Sequence, residues 1–142
     1  MTIIQKRHAI VFGCSGINGW ALVNQLLSGY PSNGAFEKVT AVANRKFMLK
    51  DAQWPHDYGN RLQLVSGVDL LVEDDDSLQK VLSEKLSSIE TVSHAYYAAY
   101  RESQNGPEEC HMNREMLRAA VQTIEKLSSN LQFVTLITGT KV

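Results

Sequence analysis

One junction near the N-terminus limits what this chain can become. The nearly unbroken apolar run His8-Ala-Ile-Val-Phe12 feeds at once into Gly13, Gly16 and Gly19, spaced three residues apart. A short apolar run bounded in this way reads as a fully buried parallel strand. The segment that follows directly, Ile17 to Leu27, carries Trp20, Ala21, Val23, Leu26 and Leu27 and reads as a helix with one apolar stripe. Strand, glycine bend and helix in that order bring backbone N–H groups and the positive end of a helix dipole to one point. Such a point suits the pyrophosphate of a dinucleotide. One glycine permits the tight turn, one lets a phosphate approach the backbone, and one lets helix and strand pack closely. The same bend would also serve a strand-to-helix turn that binds nothing.

The rest of the chain repeats the alternation. Ser28 to Gly34 is a cluster of helix breakers, and Lys38–Ala43 reads as a second strand. Asn44 to Gly59 is polar with aromatic interruptions, a loop or short helical turns; Arg61–Val65 is a third strand. Asp74-Asp-Asp-Ser77 precedes an amphipathic run from Leu78 to Leu86. Acidic residues there cap a helix start, and side chains that adjacent do not converge on a metal. Thr91–Tyr97 is a fourth strand, and Arg101–Glu109 a charged loop with Asn105-Gly-Pro107 as its turn. Cys110–Leu127 is the longest helix, and Gln132–Thr138 a fifth strand. The expected class is α/β: one Rossmann-like, doubly wound parallel domain over 1–142, five strands in order 3-2-1-4-5, with helices on both faces. A strand in the last dozen residues has nothing after it to cover its far side. The sheet is therefore expected to be truncated, the front part of something longer, and its bare edge to promote self-association.

Composition removes several alternatives. A net charge of −1 offers no basic excess for nucleic acid. No apolar run approaches the roughly 20 residues that span a bilayer. Cys14 and Cys110 lie far apart without metal-ligand spacing, and the N-terminus does not open like a signal peptide, so a reduced, cytoplasmic setting is expected. His56, His94 and His111 have no partner at catalytic spacing; His94, inside a strand, reads as a packed residue. Cys14 stands where a helix dipole can lower a thiol pKa, yet it also reads as a small side chain filling a tight turn.

Which dinucleotide is bound depends on the end of the second strand. A carboxylate there holds the ribose hydroxyls of NAD; a cation accommodates the extra phosphate of NADP. Here the strand ends Ala43-Asn44-Arg45-Lys46, with no carboxylate. Arg45 can fork onto phosphate oxygens and Asn44 can donate to ribose or phosphate, which favours NADP(H) over NAD(H); a solvated basic loop is the plainer alternative. Beyond the third strand, Asp69 in Val68-Asp-Leu70 either reaches an adenine amino group or caps its own loop. The residues expected to hold the cofactor are Gly13, Ser15, Gly16, Ile17, Asn18, Gly19, Asn44, Arg45, Asp69, Leu70 and Ala99.

The Gly13-x-x-Gly16-x-x-Gly19 spacing resembles the extended branch of the short-chain dehydrogenases/reductases. Several further stretches narrow the resemblance: Ala43-Asn-Arg45, Val68-Asp-Leu70, Val92-Ser-His-Ala-Tyr-Tyr97, Cys110–Met116 with Asn113 inside it, and Ile137-Thr-Gly-Thr-Lys-Val142. Together they are similar to the progesterone 5β-reductase/iridoid synthase-like (PRISE) enzymes, especially those of fungi. The resemblance implies NADPH as cofactor and reduction of activated C=C bonds in enones, with some relatives acting on other carbonyl compounds. It implies that Lys141 lies near nicotinamide and substrate, that Asn113 supports active-site geometry, and that a tyrosine beyond Val142 stabilises the enolate oxygen. Tyr96, Tyr97 and Tyr100 belong to the fourth-strand region and do not replace that tyrosine. The family usually places two arginines after the second strand; Asn44 stands at the first of those positions, which softens the NADP preference. A non-catalytic dinucleotide-binding module, a truncated and inactive gene product, and a sugar-nucleotide epimerase or dehydratase fit the same glycine pattern.

Overall fold

Every residue of β1 (His8–Phe12) is buried, as a strand covered on both faces and flanked on both edges must be. The computed structural model describes residues 6–55 and 58–139. After β1 come α1 (Ile17–Ser28), β2 (Lys38–Val42), the single turn α2 (Leu49–Ala52), β3 (Leu62–Val65) and α3 (Asp75–Lys85). A 3-10 turn (Ile89–Thr91), β4 (His94–Tyr97), α4 (Gly106–Leu127) and β5 (Phe133–Leu136) complete the described elements. All strand pairs are parallel, and the order is β3-β2-β1-β4-β5, as the alternation predicts.

Successive side chains of a strand point to opposite faces, and β1 divides the core accordingly. Ile10 and Phe12 pack with Leu78, Leu82, Met116, Ala120 and Ile124 of α3 and α4. Ala9 and Val11 pack with Val23, Leu26 and Leu27 of α1 and with Phe36 and Trp54. On α1 the inward stripe includes Gly19, whereas Ala21, expected on it, faces solvent. Two indoles tie the Asn44–Gly59 connection to this layer. Trp20 Nε1 donates to the Ala52 carbonyl at 2.6 Å and Trp54 Nε1 to the Trp20 carbonyl at 3.1 Å.

The main departure lies at the start of α4, which begins at Gly106 rather than Cys110. Asn105-Gly-Pro107 is the start of the helix and not a separate turn. The Asn105 side chain accepts from the Glu108 N–H at 3.0 Å, and proline in the first turn forfeits no hydrogen bond, because those N–H groups have no intrahelical partner. β4 starts at His94 rather than Thr91, which belongs to the 3-10 turn, and β5 ends at Leu136 rather than Thr138.

Candidate dinucleotide site

The three glycines divide their work as the bend requires. Gly13 adopts φ +86°, and a Cβ there would stand 2.6 Å from the Ala99 nitrogen. Only glycine meets both conditions. Its N–H and that of Cys14 donate to the Val42 carbonyl at 2.9 and 3.1 Å, tying the turn to the end of β2. Gly19 packs α1 onto that turn: a Cβ would come 2.0 Å from the Gly13 carbonyl oxygen. Gly16 differs, since a Cβ there would meet only the Gly13 oxygen, at 3.6 Å. The space beside it is open, and it is the N-cap of α1.

No side chain caps α1, and its first turn holds no acidic residue. α3 and α4, by contrast, carry Asp74 and Asn105 as caps with Asp75, Asp76, Glu108 and Glu109 in their first turns. The first N–H groups of α1 thus keep their capacity to bind an anion brought from outside. Ile17, in that turn, is 86% exposed.

Around this helix start lies a cleft of about 360 Å³, within the range of small-molecule sites. It is lined by Phe12, Gly13 and Ser15 to Asn18 of the turn, by Val42 to Arg45, by Val68 and Leu70, by Ala98 to Arg101, and by Met116. It sits at the C-terminal ends of the parallel strands, where β1 changes neighbours from β2 to β4, as ligand sites of such sheets do. Gly67 N–H donates to the Asn44 carbonyl at 3.1 Å, and Ala98 N–H to the Phe12 carbonyl at 2.9 Å, so backbone bonds brace the cleft walls.

Nine of the expected residues meet here: Gly13, Ser15, Gly16, Ile17, Asn18, Asn44, Arg45, Leu70 and Ala99. Gly19 stands behind the turn as a packing residue. Asp69 does not line the cleft; its Oδ1 accepts from the Leu71 N–H at 2.9 Å and from Arg101 Nη2 at 3.3 Å. The local-cap alternative therefore describes its contacts. Lys141 and His56 lie outside the described residues. Cys14 is fully buried, and burial pushes its thiol up to about 12, which opposes a thiolate role and fits the small-filler reading.

Asn113 joins α4 to the wall of the cleft. Its Oδ1 accepts from the Arg101 N–H at 2.9 Å, and its Nδ2 donates to the Arg101 and Glu109 carbonyls at 2.8 Å. Glu109, buried in the first turn of α4, accepts from the Tyr100 hydroxyl and, at 2.9 Å, from the Ser103 N–H. Sequence reasoning gave Met116 no place in the site, yet this core residue also lines the cleft. It missed Arg101, whose loop position carries no periodicity and no motif. His94 is half-buried between Phe36 and Phe133, with ring centroids at 5.1 and 5.3 Å.

A glycine turn at an uncapped helix start, set at the crossover of a parallel sheet, defines a Rossmann domain of the short-chain dehydrogenase/reductase type. The sequence matches the family model described as a PRISE-like Rossmann-fold domain over residues 9–142, and the chain belongs to that family. It is 38% identical over 133 residues to the short chain dehydrogenase sirQ of Leptosphaeria maculans, covering 92% of this chain and 33% of that protein. With the 3-oxo-Delta(4,5)-steroid 5-beta-reductase of Arabidopsis thaliana it shares 33% identity over 134 residues, covering 94% of this chain and 31% of the enzyme. The chain thus spans about a third of the length of these relatives. Among solved structures, Sniffer of Caenorhabditis elegans superposes with a TM-score of 0.67 at 15% identity, covering 96% of this chain and 63% of the other. The dTDP-glucose 4,6-dehydratase DesIV of Streptomyces venezuelae, bound to NAD and TYD, gives 0.63 at 20% identity, covering 89% and 38%. Both are likenesses of fold. Dehydrogenase relatives of this kind imply a nicotinamide dinucleotide as cofactor. Among the described residues, no helix is long and apolar enough to cross a membrane.

Proposed function

We propose that this chain is the NADP(H)-binding part of a reductase that transfers hydride to the activated C=C bond of an enone. The observation that carries the cofactor choice is the rim of the cleft at the end of β2. Asn44 and Arg45 line it, and no carboxylate stands where NAD would need one. The glycine turn fits the pyrophosphate, because Gly16 leaves open the space in front of the uncapped N–H groups of α1.

The substrate class rests on family membership and on the names of two relatives: the steroid reductase above and the (S)-8-oxocitronellyl enol synthase of Catharanthus roseus, 29% identical over 136 residues. NADPH, when bound, would supply the hydride. Hydride addition at the β-carbon of an enone would place negative charge on the carbonyl oxygen, where a hydrogen-bond donor set beforehand lowers the barrier. Lys141 matches the family's lysine. Its ammonium would donate to cofactor hydroxyls, and its charge would depress the pKa of the family's tyrosine. Tyr97 does not take that tyrosine's place: it is buried among α3 and α4, and burial raises its hydroxyl to about 12. Tyr100 is engaged by Glu109.

The test is a fluorescence titration of the chain with NADPH and NADH, repeated with Arg45→Ala. NADPH should bind at least about tenfold more tightly, and the substitution should erase the preference, as loss of a charge-assisted phosphate contact would. Tighter binding of NADH would overturn the NADP assignment. We also propose that β5 is a self-association edge, since its four residues are all exposed.

A further inference from the structure

The cleft has two chemically different linings. The glycine turn, Asn44 and Arg45 offer N–H groups, an amide and a guanidinium. The side chains of Val68, Leu70, Ala98, Ala99 and Met116 offer only hydrocarbon and a thioether. That apolar lining suits the flat face of a base better than a phosphate or a sugar hydroxyl.

Two residues break the pattern: Tyr100, whose hydroxyl donates to Glu109, and Arg101. Arg101 lines the same cleft, and its guanidinium donates to Asp69 Oδ1 at 3.3 Å. The two come from the loops after β4 and β3, which also carry Ala98, Ala99, Val68 and Leu70, so the pair lies beside the apolar lining. Each partner is anchored separately. Asp69 Oδ1 holds the Leu71 N–H at 2.9 Å. Both backbone polar groups of Arg101 are held by Asn113, at 2.9 and 2.8 Å. The arginine side chain therefore leaves the backbone from a fixed point. With side chains 33% and 53% exposed, the ion pair itself adds little stability.

We propose that Arg101 forms the outer wall of the base subsite, its planar guanidinium steered by Asp69 over one face of the purine while the apolar lining supports the other. This deepens the cofactor reading above and rests on it. A guanidinium stacks on an aromatic plane as well as attracting it; an ammonium supplies the charge without the plane.

Calorimetry on the full chain separates the possibilities. The probes are NADPH, adenosine 2′,5′-bisphosphate, and reduced nicotinamide mononucleotide, which has no purine. Arg101→Ala should weaken NADPH and the bisphosphate by about tenfold each and leave the mononucleotide unchanged. Arg101→Lys should recover only a minor part of that loss, with thermal unfolding of both variants close to wild type. Full recovery by lysine would make Arg101 a plain phosphate contact and overturn the proposal. So would equal losses for all three probes, or none. If wild type binds NADPH and Arg101→Ala binds it equally well, this inference alone fails. If wild type binds none of the probes, the cofactor reading fails and takes this one with it.

Discussion

Cys14 and Cys110 show how far one residue's surroundings decide its chemistry. Cys14 sits at 0% exposure under the glycine turn, with its thiol raised to about 12, while Cys110 is exposed on α4. Thiolate is the reactive form. An aromatic disulfide reagent at neutral pH should therefore titrate one thiol in the native chain and the second only in denaturant. Two fast equivalents would contradict the buried placement. The sequence carried both readings of Cys14, because position at a helix start is visible in the chain and burial is not. The same limit governs the glycines. Their spacing announced a turn, a phosphate approach and a close packing, but which glycine does which depends on what each absent Cβ would strike.

Where turn, helix and strand meet, Gly19 and His8 give two tests of packing. Gly19→Ala should destabilise the chain by more than about 2 kcal/mol, the scale of overpacking a tight core, because its Cβ would fall 2.0 Å from the Gly13 oxygen. Thermal unfolding reads this, and a variant as stable as wild type would refute the contact. His8 joins β1 to β2 and to the 3-10 turn that precedes β4. Its Nε2 pairs with Thr40 Oγ1 at 2.7 Å, and its Nδ1 with Thr91 Oγ1 at 2.9 Å. Burial first, and then the charge of Lys38, lower its pKa from 6.5 to about 4. The unfolded chain thus takes up the proton before the folded one. The neutral ring's contribution is complete above the unfolded value of 6.5 and is lost as pH falls from there to about 4. The loss is about 3 kcal/mol. Urea midpoints at pH 7 and pH 4.5 should diverge in wild type and converge markedly in His8→Gln. Some slope should remain, because burial lowers His94 as well. An unchanged slope in the variant would contradict the assignment. The helix and strand pattern was plain in the sequence because buried parallel strands are apolar runs. The start of α4 was not, since Asn-Gly-Pro serves a turn and a helix cap equally well.

The sheet as a whole is covered unevenly. α1 and α4 shield the centre, but Phe133, Val134 and Leu136 of β5 remain 62%, 43% and 45% exposed. An edge strand with open backbone groups and apolar side chains invites pairing. Sedimentation should show association that rises with concentration and is suppressed by Phe133→Lys; a clean monomer at every concentration would rule that out. Strand order and the place of the cleft could be read in advance, because the alternation of elements and the glycine bend determine both. The Asn113 and Glu109 clamp could not, since it depends on side chains meeting between a loop and a helix. The cofactor site turns on Gly16. Replacing it with serine sets a side-chain oxygen over the N–H groups of α1, in space where the Cβ meets only the Gly13 oxygen at 3.6 Å. Serine is a favoured N-cap, so Gly16→Ser should fold at least as stably as wild type, yet bind NADPH at least about tenfold more weakly, because the cap occupies the phosphate's place. Undiminished NADPH binding by this variant would show that the glycine turn is not where the cofactor rests.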